Sequence, residues 1–400
     1  MLCCVRRFCW KDPCIRMPKR IAIIGASDFQ NPLILKAKER GLETHVFAWR
    51  DGSIGEKTAD FYYPISITEI DEICDICRKV GVDGICTIGS DLGNITVSQV
   101  AERLGLVANS VATVEKSTNK HLMRQTFEQH GDPSPKSRLI RADERISDFG
   151  MAYPLIVKPV DRSGSRSITK LDFADTTALQ AAVKLAIDSS FAKEALIEEY
   201  MAGEEFSVEY VSWEGVHHFL ALTKKFTSGA PHFIETGHLE PAPVSEEIYR
   251  KIKQIVPHAL ESLGVRYGAS HSELMLLPSG EIKIVEIGSR MGGDCIGSDL
   301  VPLSTGIDFV GAVIDCALGE KPRLVPSHAA AYAMIRFIFD SNDIDVLNTI
   351  QTTYPELIDF VSPIGDMSID IVDSASRHGF YILKSSHLED LIPYLPAERH

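Results

Sequence analysis

Two glutamates, Glu273 and Glu286, sit in the stretch GASHSELMLLPSGEIKIVEIGSRMGGD that runs from Gly268 to Asp294. The pattern predicts two strands, Ala269 to Leu277 and Glu281 to Arg290, joined by a Pro278-Ser279-Gly280 turn. With an even number of loop residues, Leu277 faces Ile282 and Glu273 lies directly opposite Glu286. Side chains alternate along a strand, so both carboxylates share one face. Cβ atoms so opposed are about 5 Å apart, and like charges there repel. The residues between them are apolar apart from Lys283, so the hairpin is expected to be buried. Two buried carboxylates need a proton or a cation between them. An oxygen-rich pair suits Mg²⁺, which takes one or two carboxylates and completes its shell with phosphate oxygens and water. The alternative is a pair of strand-end glutamates in solvent.

Other residues call for an anion. Lys158 lies in the apolar strand YPLIVKPV, where an unpaired charge is costly to bury. The loop that follows, DRSGSRS, offers Ser163, Ser165, Arg166 and Ser167 as donors, with Gly164 to let the chain bend closely. Such a loop can cradle phosphate oxygens and move as a lid. It is not the GxxxxGK[ST] P-loop, and a plain hairpin tip is the alternative. Lys120 falls in the first turn of a helix, Lys120 to Gln129, capped by Ser117, Thr118 or Asn119; taken alone it is a surface lysine. In ALIEEYMAGEEFSVEY two apolar strands flank a Gly203 turn, where Glu198, Glu199, Glu204 and Glu205 crowd together.

The elements that must position these residues follow from the apolar pattern. RIAIIGAS, a helix near Pro32 to Arg40 and a strand from Glu43 to Trp49 make a βαβ opening. A helix at Ile70 to Val80, a strand at Gly84 to Ile88, a helix through Arg103 and a short strand near Leu106-Val107 continue it. This reads as a doubly wound domain ending near residue 115. GASDFQ is not GxGxxG, so nucleotide binding in this domain is weakly signalled. Beyond residue 325, Ala331 to Phe339 and Ser368 to Ser385 read as strands, the second interrupted at Arg377-His378-Gly379. They predict a small β-rich domain with a helix near Val346 to Thr352; Arg377 and His378 read as turn residues.

Composition limits the rest. The chain has 400 residues, 44% hydrophobic and 24% charged, with a net charge of −14. That is ordinary for a globular protein and argues against a general nucleic-acid or membrane-surface binder. Apolar runs fall short of the roughly 18 residues a membrane helix needs. The first 17 residues hold Cys3, Cys4, Cys9 and Cys14 without a signal-peptide core or a zinc spacing. They read as a disordered extension, or as upstream of a true start at Met17. Cys74 and Cys77 form a CxxC inside a helix, read as one turn of an amphipathic face. A reduced cytoplasmic protein is expected.

Taken in order, Lys120, IVKPVDRSGSRS, IEEYMAGEEFSVE and SELMLLPSGEIKIVEIGSRMGG resemble the ATP-grasp enzymes over roughly residues 18 to 325. The resemblance implies an α/β and α+β architecture: a Rossmann-like preceding domain (18–115), an ATP-grasp domain (116–325, lid about 130–197) and a small β-rich C-terminal domain (326–400). It implies that Lys120 and Lys158 contact the ATP phosphates and that Ser163, Gly164 and Ser165 cover them. Glu199 and Met201, with Glu198 beside them, would meet the adenine, and Glu205 the ribose. Glu273 and Glu286 would hold Mg²⁺ or Mn²⁺, and Arg290 the transferring phosphate. The family often reads E-x-N, whereas Gly288 stands in the last place here, which removes one ligand of a second metal. KKFTSGAPHFIETGHLEPAP and GSRMGGD resemble the carboxylate-amine and L-amino acid ligases. That likeness places Glu235, His238, Glu240, His271, Gly292 and Gly293 near the substrate, with His238 on an exposed turn as the alternative. The implied reaction is amide formation through an acyl phosphate from small-molecule carboxylate and amine substrates, with neither nucleic acid nor membrane as partner and a homodimer as the assembly considered. The competing readings are a purine-pathway or biotin-carboxylase-like ATP-grasp enzyme, a non-catalytic ATP-binding regulator, and a nicotinamide-dependent dehydrogenase.

Overall fold

The computed structural model describes residues 18–142, 144, 150–230 and 233–396, so the expected N-terminal extension lies outside it. The chain opens with β1 (Arg20–Ile24), α1 (Asn31–Glu39), β2 (Glu43–Phe47), α2 (Gly55–Thr58), β3 (Phe61–Tyr63), α3 (Ile70–Val80), β4 (Gly84–Cys86), α4 (Asp91–Leu104) and α5 (Val111–Thr118). The four strands form a parallel sheet in the order β3-β2-β1-β4. Ile21 to Ile24 are fully buried, as expected of a parallel strand covered on both faces. Ser90 caps α4 by accepting from the Gly93 N–H at 3.0 Å. The strand expected near Leu106-Val107 does not form. Gly105, at φ +70°, ends α4 in the left-handed conformation, and the chain passes through coil into α5. Residue 115, the expected domain boundary, therefore falls inside a helix. Cys74 and Cys77 are buried and unbridged, and burial pushes the Cys77 thiol up to about 12. They are core residues.

A second sheet follows, built from β5 (Ser137–Arg141), β6 (Leu155–Pro159), β7 (Thr169–Leu171) and β8 (Glu194–Glu199), with α6 (Lys120–His130) before it and α7 (Thr176–Ser189) packed on it. Its order is β5-β8-β6-β7, antiparallel throughout.

The third and largest sheet takes in β9 (Glu204–Trp213), β10 (Val216–Thr227), β11 (Glu235–Glu240), β12 (Gly268–Leu276), β13 (Ile282–Gly288), β14 (Tyr332–Phe337), β15 (Ile358–Val361) and β16 (Phe380–Ser385). The order is β13-β12-β9-β10-β11-β14-β16-β15. Helix α8 (Glu246–Leu263) packs its apolar stripe, Ile252 to Leu263, on one face. Helices α9 (Val301–Thr305) and α10 (Phe309–Ala317) join the large sheet to the first one, and α11 (Ser341–Thr353) covers the C-terminal strands. Every residue of α10 is buried.

The strands either side of Gly203 are not a hairpin: β8 belongs to the second sheet and β9 to the third, so Tyr200 to Gly203 is the crossing between them. The C-terminal strands continue the large sheet through the β11–β14 pairing rather than forming a sheet of their own. Residues 368–376 contain a 3₁₀ turn, Ser374–Ser376, and no strand.

The glutamate hairpin reaches its expected pairing by a different route. Its loop has three residues, closed by Leu277 N–H to the Glu281 carbonyl at 2.9 Å, with Gly280 at φ +81°. The odd loop puts Leu276, not Leu277, opposite Ile282. A β-bulge at Val285 then shifts the register by one, so that Glu273 pairs with Glu286 and His271 with Gly288.

Candidate active site

Between the second and third sheets lies a cleft of about 670 Å³. Lys120, Lys158, the Ser163-Gly164-Ser165 loop, Glu198, Glu199, Met201, Glu205, Glu235, His271, Glu273, Glu286 and Arg290 all line it. Asn119 alone caps α6, its side chain accepting from the His121 and Leu122 N–H groups; Ser117 and Thr118 end the preceding helix. The cap fixes Lys120 at the first turn, where its Nζ donates to the Arg162 carbonyl at 2.8 Å and lies 3.0 Å from Glu286 Oε2.

Charge is distributed unevenly across the cleft. On one side, Glu198 Oε2 is 2.5 Å from Lys158 Nζ and Glu198 Oε1 is 2.7 Å from Arg124 Nε, all three side chains buried. One carboxylate there serves two cations. Burial pushes the Lys158 ammonium down from its ordinary value, Arg124 and Lys120 add to that, and Glu198 opposes it. On the other side Lys225 is shared by three carboxylates, and His271, which also approaches one of them, is itself paired with a fourth, Glu209. Lys225 Nζ lies 2.6 Å from Glu205, 2.8 Å from Glu273 and 3.7 Å from Glu235. Burial raises Glu205 above the usual carboxylate range against the pull of Lys225, with Glu273 adding to the rise. A cleft with surplus positive charge at one end and surplus negative charge at the other is complementary to an anion that carries a metal.

Arg290 is held by Asp91 of α4, Nε to Oδ1 at 2.8 Å and Nη2 to Oδ2 at 3.3 Å, so the parallel sheet also reaches the site. At Gly288 a Cβ would lie 3.1 Å from Arg290 Cζ. The guanidinium thus fills the space that a side chain at this position would enter. His271 stands between Glu209, hydrogen-bonded to Nδ1, and Glu273, 3.4 Å from Nε2. Burial disfavours the imidazolium, but Glu209 and Glu273 outweigh it and the pKa rises to about 9. Glu209 also accepts from the Gly292 N–H at 3.3 Å. A Cβ on Gly292 would sit 2.7 Å from His271 Nδ1.

The serine loop bends through left-handed conformations at Gly164 (φ +73°), Ser165 (φ +57°) and Ser167 (φ +56°), and Ser165 Oγ donates to the Phe233 carbonyl at 2.9 Å. Glu199 ends β8 and Met201 lies on the crossing between the sheets. The Glu199 N–H is taken by the Lys136 carbonyl at 3.1 Å. Glu198 lies beside them in the cleft wall, its carboxylate taken up by Lys158 and Arg124.

His238 is not an exposed turn residue. It lies on β11, fully buried, and with Gly293 it lines a smaller chamber that shares Glu235, His271, Glu273 and Arg290 with the cleft. Gly292 touches His271 and lines neither space. Glu240 faces away, between Thr223 Oγ at 2.6 Å and Ser304 Oγ at 2.5 Å, and burial pushes its pKa up to about 8. Asp91, Glu209, Lys225, Asp294 and Arg377 were not singled out by sequence. Lys225 and Asp294 lay inside the ligase-like stretches, whereas nothing local marks Asp91, Glu209 or Arg377.

Among the described residues no three His, Cys, Asp or Glu side chains converge as a self-sufficient metal cage. The opposed Glu273 and Glu286 fit Mg²⁺, which needs only one or two carboxylates when phosphates and water complete its shell. No single helix among those residues is long and apolar enough to cross a membrane.

Comparison with known proteins gives a consistent result. Residues 151–298 match the ATP-grasp domain. The chain is 25% identical over 276 residues to an alanine–anticapsin ligase of Bacillus subtilis (strain 168), a match covering 61% of this chain and 58% of that one. It is 27% identical over 212 residues to a D-alanine–D-alanine ligase of Actinobacillus succinogenes, covering 49% of this chain and 66% of that one. The match thus spans less than two thirds of either relative's length. The solved L-amino acid ligase from Bacillus licheniformis has the same fold, with a TM-score of 0.78 over 94% of this chain and 95% of that one at 24% identity.

Proposed function

We propose that this chain, an ATP-grasp protein with the mixed helix-and-sheet fold of that superfamily, is an ATP-dependent ligase that joins a small carboxylate, such as an amino acid, to an amine. The observation that carries the reading is the opposed charge surplus of the cleft: two cations on Glu198 at one end, three carboxylates on Lys225 at the other. The likeness to two amide-forming ligases supports the carbon–nitrogen chemistry. In this reading residues 18–115 are the Rossmann-like preceding domain, which delivers Asp91 to Arg290.

A carboxylate oxygen attacks the γ-phosphorus of ATP and ADP departs, leaving an acyl phosphate. The amine then attacks the carbonyl carbon, phosphate leaves with that oxygen, and one amine proton is lost as the amide forms. Carboxylate and γ-phosphate repel, so the protein must neutralise and align them. Lys120 and Lys158 hold the phosphates, the Ser163–Ser165 loop covers them, and Arg290 faces the transferring group. Glu199 and Met201 border the adenine and Glu205 the ribose. When bound, Mg²⁺ or Mn²⁺ would be held by Glu273 and Glu286 and would supply further positive charge to the phosphates. Fixing both reactants can contribute roughly 7–11 kcal/mol by effective molarity.

Phosphate release read together with product mass, for pairs of amino acids with ATP and Mg²⁺, tests this. Release is expected only with a suitable pair, and the product mass should equal the two substrates less one water. Glu286→Gln should keep its fold and release none. Release that depends on bicarbonate and on no amine would contradict the reading.

A further inference from the structure

The loop from Asp161 to Ser167 is fastened at two places that belong to different parts of the fold. Its base is tied to its own sheet. The Asp161 carboxylate accepts from the Phe191 and Ala192 N–H groups at 3.1 and 2.7 Å, and the Arg162 guanidinium lies over the Phe191 ring, 4.4 Å from its centre. Its tip instead reaches the far side of the cleft. Ser165 Oγ donates to the Phe233 carbonyl just before β11, and Arg166 Nε donates to Asp373 Oδ2 at 3.4 Å. Moving the second sheet away from the third leaves these base contacts whole and separates those at the tip.

Asp373 is held firmly in place. It caps the 3₁₀ turn Ser374–Ser376: its Oδ1 accepts from the Ala375 and Ser376 N–H groups, both at 3.0 Å, and Ser376 Oγ accepts from the Asp373 N–H at 3.0 Å. This reciprocal capping box leaves Oδ2 to face Arg166. The turn is anchored to the large sheet as well, since Ser374 Oγ donates to Glu235 Oε2 at 2.7 Å and the Ser374 carbonyl accepts from Arg377 Nε at 2.7 Å. A fixed carboxylate on the C-terminal segment therefore meets a cation on the loop that lines the cleft after Lys158.

Resting on the ligase reading, we propose that Asp373 is a positioning residue that latches this loop over the phosphates and so protects the acyl phosphate from water until the amine attacks. Water that reaches the acyl phosphate cleaves it to carboxylate and hydrogen phosphate with release of one proton, and ATP is then consumed without an amide. The pair is partly exposed, 45% at Arg166 and 24% at Asp373, so its hold is modest and weakens with salt. A latch of that strength holds the loop without preventing its release.

Trypsin tests the latch, because Arg162 and Arg166 are cleavage points within the loop. Fragments are identified by mass, loop cleavage is expressed relative to cleavage elsewhere in the chain, and phosphate and amide are counted in parallel with ATP, Mg²⁺ and an amino-acid pair. Asp373→Asn keeps the cap, since asparagine caps as well as aspartate, but removes the charge; Asp373→Ala removes both. Loop cleavage in the presence of ATP and Mg²⁺ should rise about two- to fivefold in both variants, and phosphate released in excess of amide should rise by a similar factor. Raising NaCl from about 0.05 to about 0.5 M should speed loop cleavage in wild type and leave Asp373→Asn unchanged. Wild-type behaviour in Asp373→Asn, with a change only in Asp373→Ala, would assign Asp373 to the cap alone and overturn the inference. Faster loop cleavage without excess phosphate would overturn it too, because protection of the intermediate is the role assigned to the latch. A wild type that releases no phosphate with any pair contradicts the ligase reading instead, and loop cleavage in Asp373→Asn still decides whether Asp373 holds the loop.

Discussion

At the scale of single residues the site is a set of unequal ion pairs. Glu198, Lys158 and Arg124 are all under a tenth exposed. A buried carboxylate shared by two cations leaves charge to be met, which is why this end suits phosphate. Glu273, Glu286 and Lys158 were legible in the sequence because each is a charged residue where the apolar pattern makes a charge anomalous, whereas Lys120 read alone as a surface lysine and was marked only by the family resemblance. Lys225 was not, since it is anomalous only beside Glu205, Glu235 and Glu273, which other strands supply. His271 gives a prediction with a definite sign. Its pKa in the fold is about 9 against an ordinary 6.5. A raised pKa means that the protonated ring stabilises the fold fully below about pH 6.5, and that this stability is lost as pH rises through about 9. A shift of that size corresponds to about 3 kcal/mol for a buried group. Urea unfolding of wild type and His271→Gln in buffer free of divalent metal should therefore show a stability gap that narrows by about 3 kcal/mol between those limits. A gap that stays constant would show that His271 is neutral in the fold.

At the scale of elements, the hairpin of β12 and β13 shows how a correct pairing can be reached through a wrong premise. The even loop was not formed, because Gly280 in the left-handed region closes a three-residue loop, and the bulge at Val285 restores the phase. Alternation along a strand is readable from sequence; a one-residue bulge inside an apolar run leaves no mark there. The same limit explains β8 and β9. Local pattern showed two strands around Gly203 but could not show that they enter different sheets. Gly203 itself is where the crossing passes against β12: a Cβ there would lie 2.3 Å from the Leu276 carbonyl oxygen. That is a backbone atom, so the strand must move. Gly203→Ala should destabilise the protein by about 1–3 kcal/mol and weaken ATP binding, because the crossing lines the cleft. Thermal melting and calorimetric titration check this, and an unchanged melting temperature would mean that the crossing yields freely.

At the scale of the whole molecule, two sheets frame the cleft and segments outside them close its side. The small antiparallel sheet contributes Lys158 and Glu198 and the large sheet Lys225, Glu273 and Glu286, while Asp91 at the start of α4 and Arg377 between β15 and β16 line the adjoining chamber. The order of pieces along the chain was enough to suggest the superfamily, and the ATP-grasp match over 151–298 agrees. The placement of the C-terminal segment was not legible, since its strands extend a sheet begun more than a hundred residues earlier and Arg377 meets Asp294 only in the fold. With a net charge of −14, the molecule as a whole repels nucleotides, so capture of one must depend on the local surplus around Lys158. The central claim is that the carboxylate is activated by phosphorylation and then leaves its oxygen on phosphate. The most direct measurement supplies the carboxylate substrate labelled with ¹⁸O, together with ATP, Mg²⁺ and the amine, and reads the mass of the released phosphate. One labelled oxygen transferred to each phosphate is the predicted result; phosphate free of label, alongside amide product, would contradict it.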